Sequence, residues 1–559
     1  MAKLSVEQAL TKAKYHMKKG ELAEARTLYA AILKAFPNNK KAQQAQAVLG
    51  KAEQRNTNQG PPPEIRKQLV KSYEQGQFIP VVEQAQALTK LYPEALFVWF
   101  LLGVGNKGLG RDEEASIAFK KVTELDPQNF EGHNNLGTSH AELGRFDKAI
   151  ASYNKALSIK PDYVEAYSNM GNALQAQDKL KEAIASYDKA LSIKPDYVEA
   201  YSNMGNALQA QGKLKEAIAS HNKAISLKPD SAKAHKGLCS ALLSYGKLKE
   251  GLDEYEWRWK TPRGLLRERH FSQPLWDGKK SLEGKRILLW HEQGIGDTIN
   301  WSSCIPLVAN QAQHCTLECP EKLIPLLAQS FPNVEIKPEN KNLDSKRDDF
   351  DFHLPMGSLY KHFIPKISQN AESDAFLIVD PVRVNFWRER LKSLGKGPYV
   401  GVGWKSSNMS VSRLQNYAPV SEWSPVFMVS GVTFVNLQYE DFADDLSKIQ
   451  KEFGVTVHNF NDLDHYNNLV DVAALCSALD MVVSVKMTVP LISAGVGTPT
   501  KLANWRQSEW NNTLLNPVGS SVDIFERNTW EPWGKVFCLI ADDIVKLKNN
   551  PIRRLGFLK

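Results

Sequence analysis

No apolar run in this chain approaches the ~18 residues that a membrane-crossing helix needs. The opening residues, MAKLSVEQALTKAKYHMKKG, lack the apolar stretch of a secretory signal. The expectation is a protein without a transmembrane segment, working in the cytoplasm. Cysteine is scarce: six in 559 residues, scattered at Cys239, Cys304, Cys315, Cys319, Cys476 and Cys538. That usage fits reduced core thiols better than a disulfide frame. Cys315 and Cys319 stand close together beside His314, but no second ligand pair accompanies them, so they read as strand core and not as a zinc site. Basic charge exceeds acidic charge by only eight, and no Lys/Arg run concentrates it. Nucleic acid is therefore not an expected partner, whereas anionic small molecules suit the balance.

What the chain has in abundance is repetition. Pro93, Pro127, Pro161, Pro195 and Pro229 recur at a 34-residue period, as do Gly103, Gly137, Gly171 and Gly205. Two units containing ALSIKPDYVEAYSNMGNALQAQ are nearly copies. This period is the signature of tetratricopeptide (TPR) helix pairs, in which small residues (Gly171, Ala183) admit an aromatic (Tyr187) and no unit buries its apolar face alone. The reading is helical repeats over 1–53, a polar then Pro-rich linker over 54–63, and a solenoid over 64–262. Its register fails at EYEWRWKTPRG, which reads as a capping unit. The inner face of such an array takes an extended polypeptide, and Asn169, Asn172, Asn203 and Asn206 fall there. Their amides either bind a peptide backbone without reading its sequence or are simply solvated.

From residue 285 the period changes. Short β-rich runs at 287–290, 316–319, 334–337, 399–402, 432–437, 455–458, 481–485 and 500–504 alternate with helical patterns at 321–330, 382–394, 421–429, 444–453, 468–479 and 489–496. Alternation of this kind implies parallel sheets with right-handed crossovers. The break GKGP divides this half into 285–395 and 397–545, two sheets with a cleft at their strand ends.

The most informative stretch is RILLWHEQGIGDT, a strand (286–290) followed by a loop with Gly294 and Gly296. Asp297 and Thr298 then open a helix with Trp301, Ile305 and Val308 inward. Such a loop brings backbone N–H groups close to a ligand. Asp297 reads either as a helix cap or as an acid at the cleft rim. It does not complete G-x-G-x-x-G, which argues against an NAD enzyme. In the second sheet, VGVGWKSS delivers Trp404, Lys405, Ser406 and Ser407 to the cleft edge, a set suited to a diphosphate or else a solvated turn. Gln438 and Tyr439 end another strand there. Lys486, Met487 and Thr488 precede a further helix, with Pro490 at its start. Asp348, Asp349 and Asp351 mimic an Asp-x-Asp metal motif but read better as a strand entering a turn.

EQGIGDT, VGVGWKSS, NLQY and SVKMTVPLISAGVGTPT together resemble the bacterial TPR glycosyltransferases. Their catalytic half is similar to the heptosyltransferases and, more remotely, to the protein O-linked N-acetylglucosamine transferases. The resemblance implies a multidomain chain: an all-α TPR solenoid followed by an α/β GT-B fold of two Rossmann-like domains. It implies a metal-independent transfer with no cofactor beyond a nucleotide-sugar co-substrate, and a protein acceptor presented by the repeats. By that likeness Asp297 is the general base, with His291, Glu292, Gln293, Gly294 and Gly296 in the acceptor-side loop. Trp404, Lys405, Ser406, Gln438, Lys486 and Thr488 hold the donor, Lys405 at its diphosphate. The chain departs from the pattern where relatives carry an Asp-Thr pair and a later histidine: here stand Lys486, Met487 and Leu491. Those departures support the alternative, a TPR scaffold with a vestigial GT-B half.

Overall fold

The computed structural model describes residues 5–19, 22–340, 347–363, 375–406, 417–440, 442–505, 521–527 and 531–549. The chain divides into two compact units, Met1–Pro195 and Asp196–Lys559.

The first unit is helical. Val6–Lys19, Leu22–Ala35 and Lys40–Gln59 come first. Four pairs follow: Pro63–Glu74 with Phe78–Leu91, Leu96–Gly108 with Asp112–Leu125, Phe130–Glu142 with Phe146–Ile159, and Val164–Ala176 with Leu180–Ile193. Each repeat glycine accepts the aromatic of its partner helix. A β-carbon at Gly103, Gly137 or Gly171 would lie only 2.6, 2.6 or 2.5 Å from the ring of Phe119, Tyr153 or Tyr187. Any side chain there would push the paired helices apart. The expected linker at 54–63 is mostly helix, since Lys40–Gln59 runs through it. Gln54, Arg55 and Gln59 are good helix formers, and Asn56, Thr57 and Asn58 cost at most ~0.7 kcal/mol each. The break is confined to Gly60, with φ 71°, and the prolines that lead into Pro63–Glu74.

The second unit opens with two more helix pairs, Val198–Ala210 with Leu214–Leu227 and Ala232–Ser244 with Leu248–Tyr255. The expected 64–262 domain is thus divided. Its last two pairs belong to the same compact unit as the α/β half, and Cys239, Leu243 and Leu252 share one apolar core with Trp276, Leu282, Ile287 and Leu289.

Among the described residues ten strands follow: β1 Arg286–Trp290, β2 His314–Cys319, β3 Glu335–Pro338, β4 Phe352–Pro355, β5 Tyr399–Gly403, β6 Thr433–Asn436, β7 Val457–His458, β8 Met481–Val485, β9 Thr500–Trp505 and β10 Val522–Arg527. They form a four-stranded sheet, β3-β2-β1-β4, and a six-stranded one, β10-β9-β8-β5-β6-β7. Every paired neighbour is parallel. In both sheets the winding reverses beside the first strand, the order of doubly wound α/β folds, which leaves crevices at the carboxyl ends of β1/β4 and β5/β8. The acidic motif is engaged in ion pairs at the first sheet. Arg347 donates to both oxygens of Asp349 at 2.9 and 2.6 Å, and the Arg286 N–H donates to Asp351 at 2.8 Å. Among the described residues, no helix is long and apolar enough to cross a membrane.

Candidate functional site

Both crevices are lined by the loops singled out in the sequence, and two of those loops meet. The helix Ile295–Ser302 packs on the helix Val489–Gly495. A β-carbon at Gly296 would stand 3.0 Å from Leu491 Cδ1 and 3.7 Å from the Thr488 hydroxyl. Asp297 does cap its helix: the Gly294 N–H donates to Asp297 Oδ2 at 2.9 Å. Its position at the end of β1 also keeps the carboxylate at the rim, half-buried. His291 and Thr298 lie side by side, Nδ1 to Oγ1 at 2.6 Å. Burial, with the charge of Arg267 adding to it, holds the His291 imidazole down at about 4, so it is neutral at physiological pH.

The rest of the β1 loop is fixed from outside. Glu292 is buried, and Arg258 forks its carboxylate, Nε to Oε2 at 2.8 Å and Nη2 to Oε1 at 2.9 Å. The Gly357 N–H donates to the same Oε1 at 2.7 Å. Gln293 donates to the Tyr255 hydroxyl at 2.7 Å. Glu292 and Gln293 are therefore structural anchors of the loop that follows β1.

At the end of β5, Trp404 is buried and its indole N–H donates to Asp445 at 2.8 Å. Lys405 pairs with the same carboxylate oxygen at 2.8 Å. Gln438 is fully buried as a clamp between strands. It accepts the Trp404 and Lys405 N–H groups at 3.0 and 2.9 Å and donates to the carbonyls of Lys405 and Tyr439, both at 2.8 Å. Ser406 Oγ stands 3.5 Å from the Tyr439 hydroxyl, and Ser407 lies outside the described residues. Lys486 and Thr488 are half-buried at the end of β8. Between them Met487 is buried, its sulfur 3.1 Å from where a β-carbon at Gly403 would be. The helix after Thr488 has only seven residues, so its dipole is a small contribution.

Sequence reasoning missed a cavity in the second sheet. Beyond β6 and β7, a cavity of about 300 Å³ is lined by Tyr439, Glu440, Phe442, Asn459, Asn461, Tyr466 and their neighbours. Glu440 holds φ 59°, a conformation costly for a non-glycine residue and one that concentrates at ligand sites. His465 on its wall is buried, neither ring nitrogen has a partner, and burial holds its imidazole at about 4. Lys322, which follows β2, sits 3.4 Å over the Tyr466 ring and so reaches the cavity wall from the first sheet. The available signal was the dense Asn, Asp, His and Tyr content of 459–468, which reads as an ordinary polar loop.

The repeat asparagines differ among themselves. Asn169 donates to Asn134 at 3.1 Å, and exposed Asn172 accepts the Tyr187 hydroxyl at 2.7 Å. Asn203 is buried and accepts Lys233 at 2.9 Å, while Asn206 is half-buried. Models of the TPR repeat match residues 138–178 and 171–212, and those of the tetratricopeptide repeat match 10–56, 98–129, 118–151 and 198–231. The helical half is a tetratricopeptide-repeat solenoid. Protein FlbA of Caulobacter vibrioides is 32% identical over 291 residues, which span 48% of this chain and 48% of that protein, about half the length of each. Among solved structures, MamA is 28% identical over 28% of this chain and 91% of its own, with a TM-score of 0.26. The first TPR of Spaghetti, bound to an HSP90 peptide, is 28% identical over 21% of this chain and 93% of its own, with a TM-score of 0.21.

Proposed function

We propose that the TPR array captures a polypeptide and that the α/β half, a GT-B-type pair of Rossmann-like sheets, transfers a sugar from a nucleotide-sugar to a hydroxyl on it. The repeats support the capture. The transfer is carried by one observation: the Asp297 loop at the end of β1 meets the Thr488 segment at the end of β8. In this reading the acceptor hydroxyl lies against Asp297, which takes its proton as the sugar carbon is attacked. Lys405 and Ser406 face the departing phosphate, with Lys405 exchanging Asp445 for the ligand. The nucleoside occupies the cavity beyond β6 and β7, its base against Tyr439 and Tyr466 and its hydroxyls toward Glu440 and the asparagines. A cavity of about 300 Å³ is at the lower end of small-molecule sites. Thermal unfolding of the full chain against a panel of nucleoside diphosphates and their sugars tests it. A ligand at a hundred times its dissociation constant adds ~2.7 kcal/mol of stability. One nucleotide series should shift the transition, and Tyr466→Ala should abolish the shift.

A second reading, the non-catalytic scaffold, has its own support. Met487 packs on Gly403, Leu491 on Gly296, and Lys405 is engaged by Asp445. A flat nucleotide panel with intact polypeptide capture decides for it.

A further inference from the structure

The last repeat ends in a short 3-10 segment, Glu256–Lys260, whose side chains leave the helical array and enter the α/β half. Arg258 lies between the rings of Tyr255 and Trp259, 4.5 and 4.7 Å from their centroids, and its guanidinium holds both oxygens of Glu292. The remaining donors are spent on Ser358 Oγ at 2.8 Å, Glu256 at 2.8 Å and the Tyr255 carbonyl at 3.4 Å. Tyr255 accepts from Gln293, and Arg267 donates to the Glu292 carbonyl at 3.0 Å. Tyr255 and Arg258 from the end of the array, with Arg267 just beyond it, thus fix two consecutive residues of the loop whose next turn carries Asp297. The segment is tied back to the repeat as well: Trp257 stacks on His235 of the helix Ala232–Ser244, with ring centroids 3.6 Å apart and planes 5° from parallel. Glu254 and the Pro229 carbonyl face the two nitrogens of that histidine, at 2.5 and 2.9 Å. Gly357 completes the lock, because a β-carbon there would collide with the Glu292 carboxylate.

From this geometry we infer that Tyr255 and Arg258 are positioning residues, which hold the Asp297 loop in its working shape from the end of the repeat array. The repeats are then part of the site's construction and not only a tethered capture module. A buried, fully bonded ion pair such as Arg258–Glu292 does little for net stability compared with apolar packing, but it fixes geometry. Deleting an array of this kind would therefore distort the loop as well as lose the partner. The inference rests on the transferase reading only for the loop's task.

Amide hydrogen exchange on the full chain tests it without requiring turnover. The His291 N–H is bonded to the Glu318 carbonyl, the Gly294 N–H to Asp297, and the Thr298 N–H to the Gly294 carbonyl, so loop loosening is readable at each. Arg258→Lys keeps the charge and loses the fork. Tyr255→Phe removes one hydroxyl, and so provides a folded variant even if the first unfolds. In both, exchange at 291–298 should rise by about tenfold, the size expected for one lost hydrogen bond, while β8 exchanges as before. Unchanged exchange in the loop, or an equal rise in β8, overturns the inference. A loosened loop beside a flat nucleotide panel leaves it standing and removes the transferase reading instead.

Discussion

Leu491 closes on Gly296: a β-carbon at that glycine would stand 3.0 Å from the leucine Cδ1. The contact joins the loop of the first sheet to the helix of the second. It also fills the place where the glycosyltransferase likeness calls for a histidine. Gly296→Ala should cost ~1 kcal/mol through overpacking. In a Leu491→Ala background most of that cost should vanish, because the added methyl then enters vacated space. Urea unfolding of the double-mutant cycle checks it, and fully additive penalties would show that the two residues do not meet.

Within the array, one turn departs from its siblings. Gly110, Gly144, Gly212 and Gly246 take φ of 69, 70, 77 and 84° between paired helices, but the same turn after Val164–Ala176 uses Asp178 at φ 60°. A left-handed conformation costs an L-residue roughly 1–2 kcal/mol, somewhat less for Asp. Asp178→Gly should therefore stabilise the first unit by ~0.5–1 kcal/mol. A variant that unfolds at lower urea concentration than the parent refutes the assignment of strain.

His221 stands where Tyr153 and Tyr187 stand in earlier repeats. It is buried, and neither ring nitrogen has a partner. Burial, with Lys233 adding a smaller push, holds its imidazole down at about 4, against 6.5 when exposed. The unfolded chain therefore binds a proton that the folded chain refuses. The stability concerned is fully present above pH 6.5 and is lost as pH falls toward 4. Between pH 7 and pH 5 this amounts to about 2 kcal/mol. His291, His353 and His465 carry the same depression and add to the slope. His221→Phe should lose about that much less stability over the interval, whereas parallel pH profiles would contradict the account.

The repeat half was legible because its packing rule is written at a fixed period. A glycine facing an aromatic one helix later needs only the spacing of Gly171 and Tyr187 to be recognised. The strands were legible where both faces are buried, as in Met481–Val485, and illegible at Val522–Arg527, an edge strand whose residues are mostly half-exposed. The tasks of Glu292 and Gln438 could not be read from their neighbours in sequence. Their partners, Arg258 and the Trp404–Lys405 backbone, are 34 and 33–34 residues away, and only the fold brings them within bonding distance. The cavity beyond β6 and β7 was illegible for the same reason, since it is assembled from two loops that each look merely polar.

The Asp297 loop bears the functional claim, and Asp297→Asn is the substitution that isolates it. Asparagine keeps an oxygen able to accept the Gly294 N–H, so the helix cap and the fold should survive with at most ~1 kcal/mol lost. What it cannot do is take a proton from an acceptor hydroxyl. The decisive measurement is the rate at which the full chain releases free nucleotide from whichever nucleotide-sugar stabilises it, with captured polypeptide present, in the parent and in Asp297→Asn. Turnover is expected in the parent, with a fall of about 10²–10⁴-fold in the variant at unchanged nucleotide binding. Equal turnover in both, or none in the parent despite binding, would contradict it.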